Sequence, residues 1–277
     1  MKTKIQKIIL VWFLTVLGTA AFGQATIHTR TDILKDFTLR TTRVALSGDE
    51  LLDQVLQEEV ASRWRISPFE FCTFSEFENQ KNDPDYYFLL TARMKGIRYL
   101  TLVKGGPGEG IGDLYEVVSL PLSPAVSASG RELVYLGALL DFMQLFTDRA
   151  MQLAYKGNKA INKLAHRPGR LSHKQIYLSS EDLSSKVDGI KARYFDSDFR
   201  EVPEEEADKI FLDNTFNAIV GYTVVPVQPV SGDWQFKMLF DARTNEMVYF
   251  RRTRVRDTET AGFDSTDLKR INIARKL

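Results

Sequence analysis

The chain has 277 residues, of which 44% are hydrophobic and 26% charged, and its formal net charge is +1. This composition is typical of a globular protein and excludes a disordered or fibrous chain. The near-neutral charge argues against nucleic acid as the main partner, because binding along a phosphate backbone needs a strongly basic face. Cys72 is the single cysteine, which excludes a disulfide within the chain. The apolar core therefore has to hold the fold.

The first 23 residues have the organisation of a cleavable secretory signal peptide. Three lysines precede an apolar run from Ile8 to Leu17, and Ala21 and Gly23 stand at the −3 and −1 positions of a cut before Gln24. Signal peptidase reads this order of basic, apolar and small residues. An uncleaved membrane anchor is the alternative, but a spanning helix needs ~20 apolar residues. We therefore expect a periplasmic protein that starts at Gln24 and has no transmembrane segment.

The next 13 residues, 24–36, are polar and aperiodic, which predicts a flexible N-terminus, and residues 37–122 have the pattern of a first α/β unit. A strand is predicted up to Leu46, and the capping box Ser47–Glu50 predicts a helix that ends at about Arg63. The remaining elements are a short strand, a helix and three longer strands, at 69–73, 75–81, 86–94, 97–103 and 114–122.

A glycine-rich run from Gly105 to Asp113 invites comparison with phosphate-binding loops. A Walker loop ends in Gly-Lys-Ser/Thr and leads into a helix, whereas this run ends in an aspartate and leads into a strand. The glycine spacing of dinucleotide-binding loops is also absent. We interpret the run as a hairpin loop and expect no cofactor.

Residues 123–173 are predicted to bridge two units with a long helix. A second capping box, Ser129–Glu132, opens a helical pattern that runs from about Gly130 to Ala165. The first half of this pattern is apolar on almost every face, which predicts burial between the units. Lysines and asparagines in the second half predict exposure to solvent.

Residues 174–256 repeat the element order of the first unit: strand, helix, short strand, helix and three strands. Their predicted ranges are 174–179, 181–194, 199–202, 203–212, 218–227, 234–240 and 247–255. Aligning Phe69 with Phe199 also pairs Trp64 with Tyr194 and Ser67 with Ser197. Shared order indicates duplication, with a chance similarity inside one continuous α+β domain as the alternative.

The fold class predicted from these patterns is α+β, with two similar α/β units and mixed sheets. A long helix bridges the units, and residues 257–277 form a C-terminal tail.

The segment Trp64–Phe71, followed by Phe74–Phe77 and Asp85–Leu89, resembles a group of exported Bacteroidota proteins. A Gln24 directly after the signal cut suits the same group. This resemblance covers most of the chain and implies export but no activity. Each unit also resembles, by element order alone, the amino-terminal domain of the periplasmic protein TolB, which implies a module of the cell envelope.

The sequence assembles no set of catalytic residues. The three histidines, His28, His166 and His173, lack the spacing of a metal site, so we expect solvated loop positions and no metal. Cys72 alternates with aromatic residues in a short strand, which predicts a buried, unreactive thiol. No Gly-x-Ser-x-Gly motif is present, although an acid and base pair among the 36 acidic residues is an open alternative.

Arg252, Arg254 and Arg256 are predicted to share one face of an edge strand. Two interpretations are open: a solvated strand edge, and a surface for an anionic partner. We expect a non-enzymatic binding or scaffolding protein of the cell envelope, whose partner is another envelope protein or a second copy of the chain. The alternative is an exported hydrolytic enzyme with carboxylates in a cleft between the units. A deep pocket with two facing carboxylates would favour the enzyme, and a flat apolar patch the binding module.

Overall fold

The two predicted halves of the chain form two strand-rich units. The structure is a computed structural model and describes residues 33–106, 114–126, 129–153, 157–166, 168–194 and 199–276. The predicted signal peptide, His28 and most of the glycine-rich run lie outside these residues. Two mixed five-stranded sheets are present, with a long helix between them. The predicted α+β class is therefore confirmed.

The first unit is a sheet with one helix on each face. Its elements are β1 (Thr42–Leu46), α1 (Glu50–Arg63), β2 (Phe69–Thr73), α2 (Phe74–Gln80), β3 (Tyr87–Met94), β4 (Ile97–Lys104) and β5 (Tyr115–Pro124). The strand order is β2-β1-β3-β4-β5, in which β1 is parallel to both neighbours and the other pairs are antiparallel. α1 packs into the main core, and α2 covers the opposite face of the sheet.

Two helices follow β5 where the sequence predicts a single long one over 130–165. They are α3 (Arg131–Gln152) and α4 (Gly157–Ala165). α3 ends at Gln152, and the backbone of the next residue, Leu153, is extended with φ −132° and ψ 134°. The predicted continuous helix is therefore wrong in its second part.

The burial of these two helices agrees with the prediction for α3 and only in part for α4. Leu136 and Leu140 of α3 are fully buried. Lys159 and Lys163 of α4 are exposed, as predicted, but the other face of this helix buries Ile161. α4 is thus amphipathic, because its apolar face packs against the sheet of the second unit.

The second unit repeats the first sheet. Its elements are β6 (Gln175–Ser179), β7 (Phe199–Val202), α5 (Glu204–Leu212), β8 (Ala218–Val224), β9 (Trp234–Asp241) and β10 (Met247–Arg254). The strand order read from the other edge is β7-β6-β8-β9-β10, with the same parallel and antiparallel pairs as in the first unit.

The helix predicted over 181–194 is wrong. This stretch contains two 3-10 segments, Ser180–Asp182 and Ser185–Ile190, and a single helical turn, Lys191–Tyr194. Ser184 interrupts the helical pattern because its backbone is extended and its hydroxyl accepts the N–H of Lys186.

The two sheets share their pairing register as well as their strand order. Thr42 of β1 pairs with Phe69, the first residue of β2. Ile176 of β6 pairs in the same way with Phe199, the first residue of β7. The equivalence of Phe69 and Phe199, inferred from the sequence, is therefore present in the structure, as duplication of one unit requires.

The C-terminal segment predicted as a tail contains a further helix. This helix, α6 (Ser265–Arg275), begins at its cap Asp264 and buries Leu268 and Ile271 on the second sheet. α6 follows the last strand of its unit and lies on the face that also carries the 3-10 segments after β6. α3 has the corresponding place beside α1 in the first unit. The duplicated unit therefore ends with a helix in both copies, of which the sequence analysis predicted α3 but not α6.

The units pack against each other through different faces. The first unit contributes α1, α3 and the sheet face beneath them, including Leu56 and Leu140. The second unit contributes the face that carries α5, including Phe211 and Phe240. The contact is thus heterologous, since the same face is not used twice.

One pair of equivalent positions differs in polarity between the two sheets. Met238 pairs with Phe250 across β9 and β10, and both side chains are buried in the shared core. The equivalent residues of β4 and β5 are Thr101 and Ser119, whose hydroxyl oxygens lie 3.0 Å apart. The second unit therefore buries two apolar side chains on this face of its sheet, whereas the first unit has a pair of hydrogen-bonded hydroxyls on the equivalent face.

The segment before β1 is more ordered than predicted. Leu34 and Phe37 are fully buried, and the carboxylate of Asp36 accepts hydrogen bonds from Lys104 Nζ and from the Tyr87 hydroxyl, both at 2.9 Å. Residues 33–36 of the predicted flexible N-terminus therefore belong to the first unit.

The predicted capping boxes are also wrong in detail. α1 is capped by Asp49, and the backbone N–H groups of Ser47 and Gly48 donate to Asp53 at 2.8 and 2.7 Å. The cap of α3 is Gly130 at φ +89°, which makes no side-chain capping bond.

Candidate functional site

A basic groove lies at the edge of the second sheet, where α4, β10 and α6 meet. Its volume is about 440 Å³. Lys163 of α4, His166 after that helix, Arg251 of β10 and Arg270 of α6 line it. Among the residues that the structure describes, no carboxylate lines the groove. Segments far apart in sequence thus bring one lysine, two arginines and one histidine to the same cavity.

The rim of the groove carries cations that are available to a partner. Lys163, His166 and Arg270 are all exposed. In the part of the chain that the structure describes, neither Lys163 nor Arg270 has a carboxylate within ion-pair distance. An anion in the groove would therefore not have to displace an internal partner at these two positions.

A buried polar network holds the floor of the groove. The fully buried carboxylate of Asp267 accepts hydrogen bonds from the Tyr249 hydroxyl at 2.9 Å, from Lys237 Nζ at 2.5 Å and from Arg251. Burial raises the pKa of Tyr249, and the facing Asp267 raises it further. Tyr249 therefore stays a neutral donor at physiological pH. Its hydrogen bond to Asp267 helps to hold the side chains beneath the groove in place before any ligand binds.

The groove also has an apolar part. Tyr249 and Phe250 are among its lining residues, and Ile273 of α6, which also lines it, is 53% exposed. A ligand with negative charge and some apolar surface would satisfy both kinds of lining.

The structure brings together two of the three arginines singled out in the sequence. β10 is an edge strand, as predicted. The guanidinium carbons of Arg252 and Arg254 lie 3.6 and 3.5 Å from the centre of the Trp234 ring, which is a cation–π arrangement. Burial lowers the pKa of Arg252, and the neighbouring charge of Arg254 adds to this. Arg256 lies beyond the end of the strand and is exposed.

A second cavity, of about 290 Å³, is relevant to the hydrolytic alternative. Asp141 of α3 and Glu246 of the β9–β10 turn both line it, so it lies between the units. Burial raises the pKa of Asp141. Both carboxylates are held by ion pairs, however: Arg63 lies 2.8 Å from Asp141, and Arg170 lies 3.2 Å from Glu246. Each carboxylate thus has an arginine partner, while the second oxygen of Glu246 is buried without a hydrogen bond among the described residues. The hydrolytic alternative stays a prediction.

A buried ionic cluster joins the two units elsewhere. Arg131, the first residue of α3, is 5% exposed and contacts three carboxylates of the second unit. Its nitrogens lie 3.0 Å from Asp182, 3.4 Å from Glu204 and 3.0 Å from Asp208. Burial by itself would lower the pKa of Arg131, but these carboxylates, Asp182 first, outweigh it and raise the pKa. This cluster is buried and links the two units, so it is not accessible as a binding site.

The other predicted candidates do not converge on a site. Cys72 is 4% exposed, as predicted, and burial raises the pKa of its thiol. His173 lies in a turn, away from the groove that His166 borders. Among the described residues no cluster of three or more histidine, cysteine or acidic side chains could hold a metal ion. Within the same residues, no helix has the length and apolar character needed to cross a membrane.

The sequence analysis missed Lys163, Arg251 and Arg270 as a group. Lys163 was expected only to be solvated, and Arg270 falls in the predicted tail. The one signal that could have indicated the groove is the basic end of β10, from Arg251 onward.

Comparison of the chain with known protein families, with curated proteins and with solved structures found no match in any of the three. The resemblances to exported Bacteroidota proteins and to the TolB amino-terminal domain therefore stay predictions.

Proposed function

We propose that this chain is an exported, non-enzymatic binding or scaffolding protein of the cell envelope, and that it binds an acidic segment of a partner protein in the basic groove. The single observation that carries this proposal is the set of basic side chains around a cavity that no carboxylate of the described residues lines. The partner is another envelope protein or a second copy of the chain.

The position of the groove favours an extended segment. An edge strand presents backbone groups without a neighbouring strand, and added strands from partners use such edges. Arg252 and Arg254 add positive charge to the same strand, on the face of β10 opposite Arg251. An acidic segment that lies along this edge would meet cations over several residues.

Fluorescence anisotropy with a labelled hexaglutamate peptide tests the proposal, with hexaglutamine as the neutral probe. The double variant Lys163→Gln/Arg270→Gln should bind hexaglutamate about 5- to 30-fold more weakly, since each exposed ion pair contributes about 0.5–1 kcal/mol. Binding to the unaltered chain should also weaken as salt is added.

Lys159→Gln/Lys269→Gln is the matched control, because both lysines are exposed on the same two helices and neither lines the groove. An equal loss of affinity in both double variants would mean that only net charge matters, and the groove would be the wrong site. Equal binding of hexaglutamate and hexaglutamine would also reject an acidic partner.

Export is a separate part of the proposal, and its support is the signal-like N-terminal sequence. Intact-mass analysis of the protein from the periplasmic fraction should give a chain that starts at Gln24. Recovery of a chain that retains residues 1–23 would contradict cleavage.

A further inference from the structure

A crevice in the first unit lies beyond the carboxyl end of β1. The chain leaves β1 through α1 on one face of the sheet and returns to β3 through α2 on the other. Crevices at such points are the usual ligand sites of open α/β sheets. Here the crevice is a cavity of about 460 Å³, and Gly48, Phe74 and Leu90 are among its lining residues.

The equivalent crevice of the second unit is already filled. The shared register makes Thr42, Phe69 and Tyr87 of the first unit equivalent to Ile176, Phe199 and Ile219 of the second. Counting forward from these pairs by six, five and three residues gives the counterparts of Gly48, Phe74 and Leu90. These second-unit residues are Asp182, Glu204 and Tyr222.

All three of these residues contact the side chain of Arg131. The two carboxylates lie 3.0 and 3.4 Å from its guanidinium nitrogens, and the Tyr222 ring centre lies 5.1 Å from its guanidinium carbon. The same place in the fold therefore binds a side chain of the first unit in one copy and is open in the other.

The open crevice lacks the groups that hold the guanidinium. Gly48 replaces the first aspartate at φ +85°, and a Cβ built on it would have no atom within 4 Å. Phe74 replaces the glutamate and is 45% exposed. Open volume and an aromatic ring thus replace two carboxylates. The carboxylate that still lines the crevice, Asp49, is paired with Arg98.

The charged groups of the open crevice favour an anion. Arg93 is exposed and has no ion-pair partner among the residues that the structure describes, while Arg98 lies 3.0 Å from Asp49. The backbone N–H groups at positions 47 and 48 are already bound by Asp53. The arginines, and not the loop amides, are therefore the groups that can bind a negative charge.

We propose that this crevice binds a carboxylate that carries an apolar body, with the charge at Arg93 and the body against Phe74 and Leu90. The same chemistry occurs in a free carboxylic acid and in the C-terminal residue of a peptide. This site is distinct from the basic groove and does not depend on the function proposed for it.

Isothermal titration of the mature chain tests the inference with 3-phenylpropionate as the free acid and N-acetyl-Ala-Phe as the peptide terminus. The probe that binds more tightly identifies the source. 3-Phenylpropanamide, which has no charge, should bind at least about tenfold more weakly than the acid. Arg93→Gln and Phe74→Ala should each weaken binding of the better probe by about fivefold or more.

Phe74→Glu gives a sharper result, because it introduces the residue of the second unit. It should abolish carboxylate binding while the far-ultraviolet circular dichroism stays unchanged, since the position is exposed. Lys95→Gln is the matched control in the adjacent β3–β4 turn and should leave affinity within about twofold. Failure of both carboxylates to bind, equal binding of the amide, or unchanged affinity in Arg93→Gln would each overturn the proposal.

Discussion

The guanidinium of Arg131 lies 3.0 Å from the carboxylate of Asp182, and this buried ion pair joins the first unit to the second. Removal of one partner of a buried pair leaves the other charge without compensation. We expect Arg131→Met to lower the free energy of unfolding by about 3–5 kcal/mol at pH 7. Urea unfolding of the variant and of the unaltered chain measures the difference.

The same variant should show a pH dependence of definite sign. Burial raises the pKa of Asp182, and without the arginine this carboxyl takes up a proton more readily in the folded state. A raised folded pKa favours folding as the pH falls, so the cost of Arg131→Met should be smaller at pH 5 than at pH 7. Lys209→Met, at an exposed cation of α5, serves as the control and should change stability by less than about 0.5 kcal/mol. Equal urea midpoints for the two variants would refute the role of Arg131.

The apolar face of α3 should contribute most of the stability of the contact between the units. Leu136 and Leu140 are fully buried, so truncation of either to alanine should cost about 2–5 kcal/mol through lost burial and a residual cavity. Lys159→Ala on α4 should stay within about 0.5 kcal/mol, because that side chain is exposed. Urea midpoints for all three variants test this, and three equal values would show that α3 is peripheral.

Asp36 should make the fold sensitive to acid. Burial would raise the pKa of Asp36, but hydrogen bonds from Lys104 and Tyr87 outweigh it and hold the pKa at about 2. The pKa of an unfolded aspartate is about 3.9, so the ionised group stabilises the fold above about pH 4. This contribution is lost as the pH falls from about 4 to about 2. Unfolding free energies in this range should depend less on pH in Asp36→Asn, whereas Glu205→Gln, at an exposed position, should follow the unaltered chain.

The thiol of Cys72 should react slowly in the folded protein. It lies between the first sheet and α2, and burial raises its pKa, so little thiolate is present or accessible at pH 8. Labelling with a chromogenic disulfide reagent should be slow in buffer and complete within the mixing time in 8 M urea, ~8 M being enough to unfold most domains. Fast labelling in buffer would place the thiol at the surface.

The strands and the order of elements along the chain were predictable, because apolar residues recur at strand period and because the pattern occurs twice. The order of the strands within each sheet was not predicted. α6 was not predicted, since its helix is short and presents charged residues between Leu268 and Ile271. The failure at 181–194 has a tertiary cause: the Ser184 hydroxyl donates to the carbonyl of Glu259, a contact that local pattern cannot contain.

The basic groove was beyond prediction for a related reason. Lys163, Arg251 and Arg270 are separated by many residues, and only the packing of α4 and α6 on either side of β10 brings them together. The equivalence of Gly48 and Asp182, on which the comparison of the two crevices depends, follows only from the pairing registers of both sheets. The alignment of the two halves by sequence paired Phe69 with Phe199, but it did not pair Gly48 with Asp182.

Thr101 and Ser119 make one face of the first unit more polar than the equivalent face of the second. A heterologous contact between duplicated units can in principle be repeated without limit, because each added unit presents the next one with a free face. The second unit offers Met238 and Phe250 at this place, and the shared core buries both. The first unit offers two hydroxyls that satisfy each other, so a helix laid over them would gain little from apolar burial. At these two positions the first unit therefore offers less apolar surface for a further packing contact than the second, as the outer faces of terminal repeats do in solenoid proteins.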